Sequence, residues 1–485
     1  MNKKFLCLLF SLFVALNTFA LDDGATVHYN FVKDGVAYNY VSQEDKTVEV
    51  APIGEGSANY ENISVVKIPE FVVDGANEKY KVIRIGHHAF YGASYMSKQL
   101  QKISIPSTVI EIDEQAFYYC NSVKTLVVDE NNPVIKSVDN VIYTKDGKEL
   151  VVYLAGKEDV IYTVPQGVTS IANWAFAGGS PSLQKVILPR SIKQIGTEAF
   201  YYQQSSAESV FSIYCYADAV PDMGTDVFAH TSKAKFFVPN YLMSAYQEAE
   251  QWKDYEIADA TVYLYEEQDN TETMTAQNGQ YAYVKIDREF TANGAWYTLC
   301  LPFDLSEEQI AESLGDCSLM KLEYADKRSE QLLYIHFATA KTLQANTPYL
   351  FKPANGLIPP IFKGVAIKYQ TNTTITTPDG LVSMTGIYAP AQVPKDSWYL
   401  GPDNTLYQPQ GNVTSNGFRA YFTLPSSLNG TQGLRARVVM DGETPTDIND
   451  IQITTDTTPQ KVFDNGQIFI LRGGHKYNLQ GQVVE

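Results

Sequence analysis

The chain of 485 residues is poor in the side chains that usually carry chemistry: it has five cysteines, six histidines and four tryptophans. Cys7 lies in an N-terminal apolar run, and the other four, Cys120, Cys215, Cys300 and Cys317, are far too few for a disulfide scaffold. The spacing leaves a Cys300–Cys317 bridge and buried free thiols equally open. None of the histidines has a metal or catalytic spacing. His87 and His88 are adjacent, so on a strand or corner they are expected to point in different directions, as a loop-exposed pair. His28, His230, His336 and His475 stand singly, with no cysteine nearby in sequence. No phosphate-cradling glycine loop, nucleophile elbow or basic aromatic stripe occurs.

Positive charge is also scarce, with 37 Lys and Arg against 55 Asp and Glu and a formal net charge of −18. Such a surface repels nucleic acid and anionic membranes. In so acidic a chain paired carboxylates mean little: Glu111, Asp113 and Glu114, and Glu307 with Glu308, read as solvated faces rather than a glycosidase pair. Asp129, Glu130, Asn131 and Asn132 could gather Ca²⁺, but the twelve-residue loop pattern is missing. The expectation is a non-enzyme with no catalytic, metal or cofactor site, and with ligand-binding residues that the sequence does not name.

Long apolar runs are missing as well. The longest, residues 5–16, is about 12 residues, short of the roughly 20 needed for a span. With Lys3 and Lys4 before it and Thr18 and Ala20 after it, residues 1–20 read as a secretory signal. Its removal takes the formal charge from −18 to −20. The mature chain is therefore expected to be secreted, with no membrane insertion.

What the chain does have is a repeat. Ile85, Ile112, Ile171 and Ile195 are each followed at a fixed offset by an Ala-Phe pair: Ala89 and Phe90, Ala116 and Phe117, Ala175 and Phe176, Ala199 and Phe200. The fullest copies are LQKISIPSTVIEIDEQAFYYC (residues 100–120) and LQKVILPRSIKQIGTEAFYYQ (residues 183–203). A period of this kind is the signature of a solenoid. Ile103 and Ile105, or Val186 and Leu188, alternate with polar residues up to a proline, which marks a short half-buried strand that the proline stops. A second short run follows, and the Ala-Phe pair turns the corner, each Phe placed to stack on the next coil.

The interval of 59 residues between Phe117 and Phe176 is about two coils plus an excess, found in residues 140–154, NVIYTKDGKELVVYL, a hairpin signal around Asp146 and Gly147. Seven coil strands, at about 4.8 Å each, predict one sheet roughly 30–35 Å long with a face large enough for a protein or glycan. NYLMSAYQEAEQW (residues 240–252) reads as a capping helix with Asn240 as N-cap and Tyr241, Ala245 and Ala249 at helical spacing.

These residues resemble the BspA-like leucine-rich repeats of Bacteroidetes surface proteins, on the strand-Pro, Ile-Gly or Ile-Asp, Ala-Phe pattern together with the exit KFFVPNYLMSAYQEAEQWKDYEI, over about residues 31–257. The resemblance implies a leucine-rich-repeat β-solenoid over 21–257, with an N-terminal β cap and a C-terminal capping helix. It also implies a non-enzymatic, surface-displayed protein, some relatives of which adhere to host matrix proteins or other bacteria.

From residue 258 the register is lost. Alternating runs such as WYTLCLPFDL, PYLFKPA and GFRAYFTL, separated by Asn-Gly and Asp-Gly turns, predict an antiparallel β-sandwich over 258–440. Ser306 is expected to cap a helix in SEEQIAESLG. The segment WYTLCLPFDL resembles an uncharacterised β-domain that accompanies such repeats. Residues 441–460 read as a polar linker, and 461–485 as a terminal hairpin around Gly473 and Gly474 that resembles a short surface-sorting tail. The expected function is an adhesin or capture protein displayed outside the outer membrane, its solenoid contacting a host or bacterial surface protein. The alternative is capture of a glycan by the second β-domain through Trp398 and Tyr399. The 33 tyrosines suit either half-buried strands or a contact surface.

Overall fold

Two short parallel strands per coil follow from the two apolar runs of each repeat. Ile103 and Ile105 turn inward, Lys102 and Ser104 outward, and Pro106 ends the first strand. The computed structural model describes residues 17–20, 26–52, 63–91, 100–178, 180, 182–201, 211–231, 234–356, 359–371, 373–401, 405–408, 413–429, 431, 434–442, 460–464, 467–472 and 475–477, with side chains between 29 and 442.

The first-strand sheet is not one stack of seven. Val65–Lys67, Lys102–Ile105 and Thr125–Val128 pair in parallel as one sheet. Ile161–Thr163, Lys185–Leu188, Phe211–Cys215 and Ala234–Val238 form another, extended by Glu256–Asp259. The second-strand sheet breaks at the same place. Thr47–Ala51, Lys79–Ile85 and Glu111–Ile112 lie on one side, with Glu149–Tyr153, Ser170–Ile171, Gln194–Ile195 and Asp222–Met223 on the other.

The inserted residues cause the break. Ile135–Val138 and Glu149–Tyr153 each pair antiparallel with Val141–Thr144 between them, and Glu149–Tyr153 joins the second stack as the parallel partner of Ser170–Ile171. Val141, Ile142 and Tyr143 are all buried: Ile142 packs into the core of the first stack, Val141 and Tyr143 into that of the second. The insertion is thus a wall with an apolar face on either side. After it the chain returns against the first stack so closely that a Cβ on Gly156 would lie 2.3 Å from the Val123 carbonyl oxygen.

At the N-terminal end Phe31–Lys33, Val36–Ser42 and Thr47–Ala51 form an antiparallel meander whose last strand continues in parallel into Lys79–Ile85. At the other end the expected capping helix is a 3-10 turn, Asn240–Leu242, followed by the six-residue helix Met243–Glu248. Asn240 does not cap it. Its backbone N–H donates to Thr261 and its side chain reaches Asp259. The buried anchors are Tyr246 and Trp252, while Tyr241 and Ala245 face outward. So short a segment works as a crossover to Glu256–Asp259, held by the Tyr246 hydroxyl on Cys215 Sγ (3.3 Å) and the Trp252 indole N–H on the Pro221 carbonyl (3.0 Å).

The second half departs from a plain antiparallel sandwich. Its main sheet has ten strands in the order Tyr297–Cys300, Pro348–Pro353, Cys317–Ser329, Leu332–Thr339, Arg435–Met440, Thr405–Tyr407, Ser397–Leu400, Arg419–Thr423, Ser383–Ile387 and Thr374–Thr376. One pair, Leu332–Thr339 with Arg435–Met440, is parallel. Leu350, Ile335, Val438, Trp398, Phe422 and Met384, from strands along its whole width, share one core, so the sheet curls around itself. Its two sides meet where the Cys300 N–H donates to the Phe418 carbonyl at 3.2 Å. On its back Tyr349 and Phe351 pack into a second core with the three-stranded sheet Thr261–Tyr265, Tyr281–Asp287, Ile361–Ala366, whose first pair is parallel. Alternation marks strands with one wet face, but Pro348–Pro353 is covered on both, and that allows a curled sheet with a second sheet behind it. Helix Glu307–Leu314 begins at Ser306 in a capping box with Gln309. A second short helix, Thr271–Ala276, buries Met274 and follows Asn270.

The two halves share a core. Ile187 and Tyr216 of the second coil stack pack with Tyr283 and Val284, and the Tyr283 hydroxyl donates to the Tyr216 carbonyl (2.8 Å). Arg190 bridges Asp218 (3.0 Å) and Glu312 (2.9 Å) across the junction. Gly364, at φ +59°, lies where a Cβ would be 2.5 Å from Arg190 Cδ. The sheet face of the second stack is therefore covered at Ile187, Tyr214, Tyr216 and Phe237 by the protein's own second half, while Ile161 stays exposed, and it does not offer the long free surface expected of seven strands.

The apolar run of the expected signal and most of the expected linker lie outside the described residues; Asn17–Ala20 pairs with Thr26–Tyr29. In the tail Gln460–Asp464, Gln467–Arg472 and His475–Tyr477 form a three-stranded antiparallel sheet, one strand more than a hairpin. Among the described residues no helix is long and apolar enough to cross a membrane.

Candidate functional site

Each coil corner is a tight turn in which the alanine N–H bonds back three residues, as from Ala116 to Asp113 (3.2 Å) and Ala199 to Gly196 (3.3 Å). The following Phe N–H donates to the alanine carbonyl, or its equivalent, of the next coil: Phe90 to Ala116, Phe176 to Ala199, Phe200 to Val227. Behind these bonds the rings stack, Phe90 on Phe117 at 5.4 Å, then Tyr153, Phe176, Phe200 and Phe228 at 4.7–5.2 Å. Tyr153, from the inserted wall, takes the place of the missing phenylalanine.

The residue before each alanine or its equivalent, His88, Gln115, Trp174, Glu198 and Asp226, is left-handed, with φ between +51° and +60°. Glycine adopts that conformation freely, whereas other residues pay roughly 1 kcal/mol or more each. The side chains so held form a strip along the corner with the aromatic residues beside them. His88 packs on Tyr91 (4.8 Å), Tyr91 on Tyr118 (5.6 Å), Tyr118 edge-on to Trp174 (5.4 Å), Trp174 on Tyr201 (4.8 Å) and Tyr201 on His230 (5.1 Å).

Where the two stacks part, this strip crosses a groove of about 340 Å³ between the corner of Glu111–Ile112 and the strand Glu149–Tyr153. Tyr118 and Trp174 flank it, and the Asn173 amide donates across it to Glu114 (2.6 Å). Glu149 lines it, with no hydrogen-bond or ion-pair partner for its carboxylate among the described residues. Burial, and secondarily Asp146, raises the pKa of that carboxyl. Glu198 nearby is raised too, by burial and then by Asp226 and Glu114. Among the described residues no Lys, Arg or His lines the groove. An acidic floor between aromatic walls suits a cationic side chain, attracted by the carboxylates and by the ring faces.

Trp398 is buried in the core of the curled sheet, its indole N–H donating to Asn429 at 2.9 Å, so it is not an exposed glycan platform. Tyr399 is half-buried and lines a separate cleft. His87 and His88 do not diverge: the left-handed backbone of His88 brings the rings to 4.0 Å, and His88 is buried against Gln115. Asn132 is a turn brace, donating to Pro106 and Val109 and accepting from Val134 and Ile135. Glu111 and Asp113 lie 3.9 Å from Arg84, which also binds Glu49, so they are part of an ion-pair cluster and not merely a solvated face. Glu307 faces Lys341 at 3.7 Å. Cys120, Cys215, Cys300 and Cys317 are all free thiols. Among the described residues no group of three metal-ligating side chains occurs. Trp174, Tyr118 and Glu149 were not singled out from sequence, although the position before each Ala-Phe pair was visible.

The family model described as BspA type leucine rich repeat region matches residues 76–143 and 160–249, in six copies. The gap between the two stretches, 144–159, falls within the wall and the return loop. Solved structures similar to the chain include a leucine-rich repeat protein from Eubacterium ventriosum, 16% identical, covering 50% of this chain and 88% of that one with a TM-score of 0.26. Another, from Bacteroides ovatus, is 18% identical and covers 48% and 73%, with a TM-score of 0.21. A leucine rich cell surface protein from Faecalibacterium prausnitzii is 16% identical and covers 47% and 94%, with a TM-score of 0.17. No curated protein matches the chain.

Proposed function

From a chain whose residues 76–143 and 160–249 are BspA type leucine-rich repeats, we infer a secreted, surface-displayed, non-enzymatic capture protein that binds a protein partner through its solenoid. The observation that carries this is the groove between the stacks, where Trp174 and Tyr118 flank the Glu149 carboxylate, which has no partner among the described residues. The chemistry it fits is a lysine or arginine side chain on a host or bacterial surface protein. Five residues held left-handed without being glycine support a role for their side chains along the corner.

The test uses the full mature chain against purified host extracellular-matrix proteins and intact bacterial cells. Trp174→Ala is expected to weaken binding by about 10- to 100-fold, as loss of an aromatic anchor does, with little change in thermal unfolding because the side chain is only half-buried. Acetylating the partner's lysines should weaken it similarly where a lysine is the anchor. Full binding by the Trp174→Ala protein would refute the groove as the site. Surface display is tested by labelling cells that express the chain with and without residues 461–485; equal exposure would remove the sorting role from that tail.

A further inference from the structure

The second half carries a cleft of about 400 Å³ whose chemistry is opposite to that of the groove. Its floor is Arg288, only 2% exposed, whose Nη1 donates to the carbonyls of Thr298 (2.9 Å) and Phe418 (2.6 Å), where the curled sheet nearly closes. One face of the guanidinium rests on Phe290, 4.5 Å from the ring centroid. Its Nη2 has no hydrogen-bond partner among the described residues. Beside it Arg419 binds Glu266 at 2.7 Å, and the same carboxylate lies 3.7 Å from Arg288 Nε. Trp296, which lines the cleft, carries Lys352 4.7 Å from its ring centroid. Two arginines thus face one carboxylate, in a protein whose formal charge is −18.

A second polar group is left over in the same place. Tyr399 lines the cleft, and its buried hydroxyl has no hydrogen-bond partner among the described residues. A buried hydroxyl without an acceptor costs about 1–3 kcal/mol, which a bound acceptor would offset. Burial and the adjacent Arg419 both press the Arg288 guanidinium toward losing its proton, down to about 9, and a bound anion would relieve both pressures. Trp296, Tyr399 and Tyr407 add rings to the lining, Thr414 and Ser415 hydroxyls, and Leu400, Asn416 and Ala420 complete it. Tyr407 is 52% exposed, and its ring lies 6.2 Å from that of Tyr399.

We propose that this cleft binds a carboxylated sugar, its carboxylate on Arg288 and Arg419 and its ring against Tyr399 and Tyr407. Arg288 Nη2 and the Arg419 guanidinium can each donate a charge-assisted hydrogen bond to a carboxylate. The C–H face of a pyranose carries the partial positive charge that the negative face of an aromatic ring attracts, and the hydroxylic wall serves sugar hydroxyls better than a peptide backbone. The carboxylate can come from a uronic or a sialic acid. The site lies in the second half and makes no use of Trp174, so it stands or falls separately from the groove.

Calorimetric titration of the full mature chain with a hyaluronan tetrasaccharide, 3′-sialyllactose, lactose and a hexaglutamate peptide tests it. Binding of either acidic sugar, with lactose at least about tenfold weaker, is expected, and the acidic sugar that binds identifies the source of the carboxylate. Arg419→Gln and Tyr407→Ala, both at partly exposed side chains, should each weaken that sugar about tenfold or more. Arg288→Gln should do so more strongly, and because it is buried its folding is checked by circular dichroism. Trp174→Ala should leave sugar binding unchanged. The proposal is overturned if neither acidic sugar binds, if hexaglutamate binds as well as the sugars, or if sugar binding survives both Arg419→Gln and Tyr407→Ala.

Discussion

The groove and the cleft are built from the same kinds of side chain with the charge reversed. In the solenoid, Trp174 and Tyr118 flank a groove whose lining, among the described residues, holds carboxylates and no cation, whereas in the second half Trp296, Tyr399 and Tyr407 surround two arginines that share one glutamate. Both sit where a sheet fails to continue, one at the break between coil stacks and the other at the incomplete closure of the curled sheet. A discontinuity leaves side chains without their usual neighbours, and in both places those side chains are aromatic and ionised. The comparison teaches that the regular part of each half serves as a frame, and that its opportunities for recognition lie where the regularity stops.

The comparison is broken most forcefully at the frame. Phe200 is fully buried between Phe176 and Phe228, and Phe200→Ala should cost about 3–5 kcal/mol, read as a lower urea midpoint, with loss of groove binding. A cost below about 1 kcal/mol would mean that the ring ladder does not hold the coils. Next comes the junction: Gly156→Ala pushes a Cβ into the Val123 and Asn121 carbonyls, 2.3 and 2.8 Å away, at a cost of about 1–3 kcal/mol. It should weaken the groove while sparing the cleft, and equal damage to both would show that the two discontinuities are one unit.

The smallest and most specific test is Glu149→Gln. Burial raises the Glu149 pKa in the folded protein, so its ionised form is penalised there, and stability is lost as pH rises through the folded value. The glutamine variant should therefore unfold at higher urea at pH 7, with a gain that vanishes below the ordinary carboxylate range, while its affinity for a basic partner falls. A variant that is stabilised yet binds undiminished would remove the carboxylate from the site.

Much of the frame was legible because it repeats. Ile112 with Ala116 and Phe117, and Ile195 with Ala199 and Phe200, announce strand, corner and ring ladder at a fixed offset, since every coil solves the same packing problem. The wall was visible as an excess of residues around Asp146 and Gly147. That it splits the stack was not, because this depends on Ile142 and Val141 facing different cores, which alternation alone does not distinguish from a one-sided hairpin. Asn240 looked like a cap by residue type, yet the turn that forms there begins in 3-10 geometry and sends its side chain to Asp259. Trp398 looked like a platform because it is a tryptophan in a β-domain; the curl of the sheet turns it inward. Neither pocket was legible, because Tyr118, Glu149 and Trp174, or Arg288, Tyr399 and Arg419, are far apart in sequence and meet only through breaks in pairing.

The strand Val141–Thr144 has a consequence for how the molecule comes apart. In a linear array each unit is stabilised by its neighbours, and an interruption usually divides it into segments that melt separately. Here the interruption donates Ile142 to one core and Val141 with Tyr143 to the other, so neither stack can open without stripping apolar cover from the strand that ends its neighbour. The feature that divides the repeat in space should therefore join it in cooperativity, and calorimetric heating of the solenoid should give one transition across residues 36–257 rather than two.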